Sequence, residues 1–157
     1  MNVTKLVYIF IFISSLCYSQ SDSALVKNAS GKTLKRLGKS AMQQNDPSSA
    51  ITFFEAYLKN NRTDAKAMNL LAQNYLEIRD YERAQKLFLQ AYTTDKEKCP
   101  EALYYYSQMQ KSNGQYDSAK ISFQKFKKEY KGSEKQLKKQ ATKEIIFCDS
   151  VQKLISV

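Results

Sequence analysis

A chain of 157 residues has room for one ordinary domain or a few small repeats, and 43% hydrophobic residues with 25% charged ones give it the material to fold. It contains no His and no Trp, which removes Ser-His and Cys-His nucleophile pairs, His-ligated metal and His-ligated haem together. Only 4 Gly and 2 Pro favour helix over sheet, and the net charge of +10 reads first as lysine-rich solvated faces, with an acidic partner or an anionic surface as the alternative.

The first segment is a leader. Lys5 gives a short positive start, and Leu6 to Leu16 is a largely apolar stretch. As a helix that run spans about 16 Å, half of a bilayer core of about 30 Å, so it suits a signal peptide over residues 1–19 and not a membrane span. Cys17 and Ser19 put small side chains where a signal peptidase needs them, so cleavage is expected between Ser19 and Gln20. Lipid modification of Cys17 is disfavoured because Leu16, not a small residue, precedes it. The mature chain is therefore expected in the periplasm or associated with the outer membrane, with no later span. Residues 20–30 are short and polar and read as a tether.

Three hairpins follow, at 31–62, 65–96 and 100–131. In the first, Leu34, Leu37 and Ala41 share a helical face, Asn45-Asp46-Pro47 breaks the helix, and Ala50, Phe54 and Tyr57 mark the next buried face. In the second, Met68, Leu71, Ala72 and Tyr75 line the first helix, Ile78 to Tyr81 turns, and Ala84, Phe88 and Ala91 line the second. In the third, Leu103, Tyr106, Ser107 and Gln110 come first, Asn113 to Tyr116 turns, and Ala119, Phe123 and Phe126 follow.

The spacing carries the argument. Ala50, Ala84 and Ala119 are 34 and 35 residues apart, and Gly38, Ala72 and Ser107 repeat at the same intervals. Such a period is the mark of stacked helix hairpins. Two helices approach closely only where side chains are small, and Phe54, Phe88 and Phe123 are then expected to fill the space beside that contact. These residues resemble the tetratricopeptide repeat family. Leu37-Gly38 with Ala50 and Phe54, Leu71-Ala72-Tyr75 with Tyr81, Ala84 and Phe88, and Tyr116 to Ala119 with Phe123 match its hairpin pattern. Pro47 and Gln110 depart from it. The resemblance implies an all-α fold, a short right-handed α-solenoid of three hairpins.

One more helix, residues 133–156, has an apolar side of Leu137, Ala141, Ile145, Phe147, Cys148, Val151 and Leu154, and is read as the cap on the last hairpin. Its lysines, with those of 120–131, make a basic C-terminal third. Cys99 and Cys148 are expected to stay unpaired. The final helix should start beside the start of the third hairpin's first helix, which sets Cys148 about 21 Å along it, against the roughly 7 Å a disulfide allows. Cys99 reads as incidental, just before a helix-starting Pro100.

The resemblance implies that the first helices line a concave, partner-binding side. The residues placed there are Lys32, Lys35, Lys39, Met42, Lys66, Asn69, Gln73, Leu76, Tyr104, Gln108 and Lys111, where long polar groups can pair with a peptide backbone and lysines with an acidic segment. Some family members hold a C-terminal carboxylate in a Lys-Asn-Asn-Lys-Arg clamp. Here Lys35 matches, but Lys39, Leu70, Glu101 and Tyr105 stand in the other places, so that clamp is expected to be absent. The leader ending Tyr-Ser-Gln, the lysine-rich hairpins and the closing Ile-Ile-Phe-Cys-Asp also resemble Bacteroidota envelope proteins in which such repeats precede a β-propeller and an OmpA-like peptidoglycan-binding domain. Some of these belong to the type IX secretion apparatus. The implied partners are envelope or secretion proteins, with no nucleic acid, no cofactor and no metal. The competing readings are a structural spacer or the first part of a longer peptidoglycan-associated protein, and, least supported, an enzyme using carboxylates or a cysteine.

Overall fold

The computed structural model of the protein describes residues 25–133 and 135–155. The expected leader and the first part of the tether lie outside the described residues. Part of the remaining tether is not extended: residues 25–28 form a helical turn. Every longer element is an α-helix: α1 (Gly31–Gln43), α2 (Pro47–Asn60), α3 (Ala65–Glu77), α4 (Tyr81–Thr94), α5 (Ala102–Ser112), α6 (Tyr116–Glu129) and α7 (Lys135–Ile155). They fall into two compact units, one ending at Asn60 and one beginning at Asn61.

The first unit is the hairpin α1–α2. Ser30 caps α1 by accepting from the Thr33 amide, and Asp46 caps α2 by accepting from the Ser49 amide at 3.1 Å. Leu34, Gly38 and Ala41 face Ala50, Phe53 and Phe54 in the core. Gly38 is there because of space: a Cβ on it would lie 2.9 Å from Cζ of the wholly buried Phe54 ring. Phe53 takes the buried place expected for Tyr57, whose ring instead lies partly exposed beneath the Lys35 ammonium, 5.4 Å from its centroid.

The second unit stacks α3–α4, α5–α6 and α7. Ala84 and Ala119 are wholly buried, as is Ala50 in the first unit, and Ala72 and Ser107 are buried opposite them. Phe88 and Phe123 plug the adjoining space. Phe88 stacks on Tyr105 of the next hairpin with centroids 5.2 Å apart, and Phe123 meets Tyr104 edge-on at 5.6 Å. Tyr75 is buried with its hydroxyl accepting from Arg83 at 3.1 Å, the guanidinium lying over its ring. Gln110 occupies the equivalent place in α5. Its amide donates to the Tyr106 hydroxyl at 3.1 Å, but its buried Oε1 has no partner among the described residues. An orphaned buried carbonyl costs about 1–3 kcal/mol and a typical hydrogen bond contributes about 0.5–1.5 kcal/mol, so Gln110→Met, which keeps the shape and drops both the oxygen and the bond to Tyr106, is expected to raise stability by about 1 kcal/mol in a urea titration. Unchanged or lower stability would show that the orphaned oxygen costs no more than the Tyr106 bond contributes.

All three hairpin turns use one device. Asn45, Arg79 and Gly114, again 34 and 35 residues apart, have φ of 55°, 62° and 74°. In each, the next amide reaches back five residues to a helix carbonyl: Asp46 to Ala41, Asp80 to Tyr75, Gln115 to Gln110. This is a Schellman closure, which needs a left-handed residue. Glycine adopts it freely and asparagine at low cost, while an arginine carries a penalty of about 1–2 kcal/mol against glycine's extra unfolded-state entropy of about 0.5–1 kcal/mol. Arg79 is exposed, so Arg79→Gly is expected to raise stability by about 0.5–1 kcal/mol, read as a higher melting temperature. A lower one would show that the arginine holds the turn.

Two expectations about the last third need correcting. Cys99 is not incidental: it is buried in the turn before α5, and that turn delays the helix to Ala102, two residues past Pro100. The apolar side expected of α7 is split, with Leu137, Ala141 and Cys148 buried but Phe147 and Leu154 exposed. The buried residues seat against α6, while exposed ones point to the side where no following helix lies among the described residues.

Candidate functional site

The residues read from sequence as a partner-binding face divide between the two units. In the first, Lys32 and Lys39 are exposed on α1, and Lys35 and Met42 are half-buried. In the second, Lys66 is exposed on α3 while Gln73 and Leu76 are half-buried beside it.

Two residues expected on an open face are buried. Asn69 donates to Glu101 Oε1 at 3.0 Å and so ties α3 to α5, while its own Oδ1 has no partner among the described residues. Tyr104 is 6% exposed, wedged against Phe123 and Phe126, and its hydroxyl accepts from Gln108 at 2.8 Å and donates to Gln140 Oε1 at 3.4 Å. An aromatic ring at this place gains more from the ring cluster beneath it than from water. Gln108 also donates to Glu144 Oε1 at 3.1 Å, and Lys111 is paired with Glu144 Oε2 at 2.6 Å. Three of the chosen residues are therefore already engaged by α7.

That pattern defines α7. Gln140 and Glu144 tie it to α5 as Glu101 ties α5 to α3. It is the first helix of a fourth hairpin in position, not only a lid. Its outward side carries Gln136, Lys139, Lys143, Ile146 and Phe147, all exposed, which the sequence reading did not place on the face. The signal was present: Ala67, Ala102 and Leu137 are spaced 35 residues apart, and all three are buried.

A separate cleft of about 500 Å³ opens between the end of α4, the loop before α5 and the last turn of α6, lined by Tyr92, Lys96, Pro100, Leu103, Phe126 and Tyr130 among others. The Tyr92 hydroxyl donates to Glu129 Oε2 at 2.6 Å, and Lys96 reaches the same oxygen at 3.5 Å. Burial, then the Glu129 carboxylate, pushes the Tyr92 phenol up to about 12, while the Tyr92 bond holds Glu129 below the usual carboxylate range. Burial pushes the Cys99 thiol up to about 11 and raises Cys148 as well. At neutral pH both thiols are protonated, so neither is an activated nucleophile. Because folding raises these pKa values, the stability they carry is intact below the ordinary thiol and phenol ranges and is lost as pH rises through the folded values. The protein is expected to hold a constant melting temperature from pH 7 to about 9 and to lose stability steeply between about 9 and 12; a flat profile to pH 12 would contradict this burial.

Profiles of the tetratricopeptide repeat family match residues 41–91 and 69–134, together more than half of the chain. The chain belongs to this family. Solved structures agree in fold. The Arabidopsis OM64 TPR domain is 22% identical with a TM-score of 0.63, the similarity covering 73% of this chain and 93% of that one. MamA is 19% identical with a TM-score of 0.62, covering 99% and 98%. The second TPR domain of human RPAP3, solved in complex with the HSP70 peptide SGPTIEEVD, is 22% identical with a TM-score of 0.62, covering 74% and 92%. No curated protein matches. In this chain two of the places a carboxylate clamp would need are taken up structurally, Glu101 by Asn69 and Tyr105 by Phe88.

Proposed function

We propose that the protein is a non-catalytic scaffold, exported to the cell envelope, that holds an acidic, extended segment of another protein against the first-helix face of its second unit. The observation that carries this reading is the accessible strip of α3 in the second unit, exposed Lys66 with half-buried Gln73 and Leu76, in a family in which one solved relative is seen with a peptide. The Gln73 amide can pair with a peptide backbone, Leu76 can cover an apolar side chain, and Lys66 supplies the charge preference. The lysines of α1 extend the preference for acidic sequence within their own unit. Without the carboxylate clamp, the segment is bound internally and not by its C-terminal carboxylate. Envelope or secretion proteins are the partners this reading favours, on the strength of the leader and of the residues that resemble Bacteroidota envelope proteins.

The test is a fluorescence-anisotropy titration with an acidic peptide library, comparing the native chain with Gln73→Ala/Leu76→Ser. Loss of binding of at least about tenfold with an unchanged melting curve supports the reading, since each tenfold is about 1.4 kcal/mol of contact. Equal affinity of the two proteins sinks it. Export is tested separately: mass spectrometry of the protein secreted by an expressing host should find a chain that begins at Gln20.

A further inference from the structure

The exposed side of α7 carries lysines and bulky hydrophobics together. At 100° per residue, Lys135, Lys139, Lys143, Ile146, Phe147 and Leu154 fall within an arc of about 120°. Ile146 is 60% exposed, Phe147 48% and Leu154 79%. The three lysines are exposed too. No described acid of α7 shares the arc: Glu144 turns away to Lys111, and Asp149 to Lys120. Along the axis the first turns of the face are basic, and its later turns carry the exposed hydrophobics with Lys153 among them. Cys148 is the last buried residue, and Tyr116, the first residue of α6, meets Phe147 with ring centroids 6.3 Å apart. The final turns of α7 therefore run on past the start of α6 and present Leu154 and Ile155 to solvent. A further hairpin helix of the usual apolar kind, packed on this side, would bury lysines with no acid of α7 to pair them and is disfavoured.

We propose that this face docks the protein peripherally onto an anionic lipid surface, with Ile146, Phe147 and Leu154 entering the headgroup layer and Lys135, Lys139 and Lys143 meeting lipid phosphates. Charge complementarity selects an anionic occupant, and a second copy of the chain is disfavoured because the same lysines would face each other. The face is one side of a single helix, with nothing beyond it among the described residues to form the second wall of a groove. A flat interface needs no such wall, whereas a docked acidic helix does. Exposed hydrophobics beside lysines are the combination that binds charged interfaces, each lysine near the surface contributing to the attraction. No helix among the described residues is long and apolar enough to cross a membrane, so the attachment is to one leaflet. This inference does not depend on the peptide-binding reading.

The experiment uses the full chain with vesicles of phosphatidylcholine alone and of phosphatidylcholine with about 30% phosphatidylglycerol, an anionic lipid. The protein has no Trp, so Leu154→Trp gives a single reporter at an exposed position. The expected result is co-sedimentation with the anionic vesicles only, a blue shift of the reporter's tryptophan emission on binding, and a fall of about 100-fold in partitioning for Lys135→Gln/Lys139→Gln/Lys143→Gln. A second variant, Ile146→Ser, keeps every lysine and is expected to bind at low salt but detach at physiological salt. Three results would overturn the proposal: no sedimentation with anionic vesicles at low salt, which would leave an acidic protein segment as the occupant; equal sedimentation with both vesicle types; or binding without an emission shift, which would assign it to net charge alone. Melting curves of each variant separate lost binding from lost folding.

Discussion

Phe88→Ala is expected to destabilise the second unit by about 3–5 kcal/mol, a large share of the roughly 5–15 kcal/mol that holds a domain folded. Phe88 is wholly buried and stacks on Tyr105, so its removal opens a cavity at the junction of two hairpins and not only within one. The neighbouring Leu89 is 38% exposed, and Leu89→Ala is expected to cost no more than about 1 kcal/mol. Urea titrations followed by helical circular dichroism compare the two. A loss below about 1 kcal/mol at Phe88 would show that α4 and α5 do not depend on this plug.

Ala84→Phe is the converse and is expected to cost about 1–3 kcal/mol by overpacking. Ala84 has no exposed surface, and its small side chain is what lets α4 lie against its neighbours at that point. The double change Ala84→Phe/Phe88→Ala restores volume one turn away from where it was lost. If small and large side chains act together at this crossing, the double variant loses less than the two single losses added, by about 0.5–3 kcal/mol. Simple additivity would mean that the two positions pack independently, and the repeat pattern would then be a coincidence of helical faces.

The periodic small residues made the hairpins legible because a close helix crossing tolerates only glycine, alanine or serine, a constraint that acts at fixed sequence positions. The same reasoning recovered the turns at Asn45, Arg79 and Gly114 only in outline. Their left-handed backbone is set by closure onto the preceding carbonyls, and Arg79 gives no hint of it. Tyr104 shows why the candidate face was only partly legible. A first-helix position is open or closed according to which helix lies next to it, and the closing helix is α7, 36 residues away at Gln140. Cys99 is hidden for the same kind of reason, since nothing local distinguishes a buried turn from an exposed one.

By itself, then, the sequence determined that this protein is a set of helical hairpins with alanines at the crossings and phenylalanines beside them, because helix period and side-chain volume are local properties. The tertiary structure decided which of the chosen polar residues remain available, and that α7 continues the row of first helices while turning lysines and bulky hydrophobics outward. Those outcomes depend on which neighbour covers each face, and burial of that kind is a property of the packed chain and not of any residue in it.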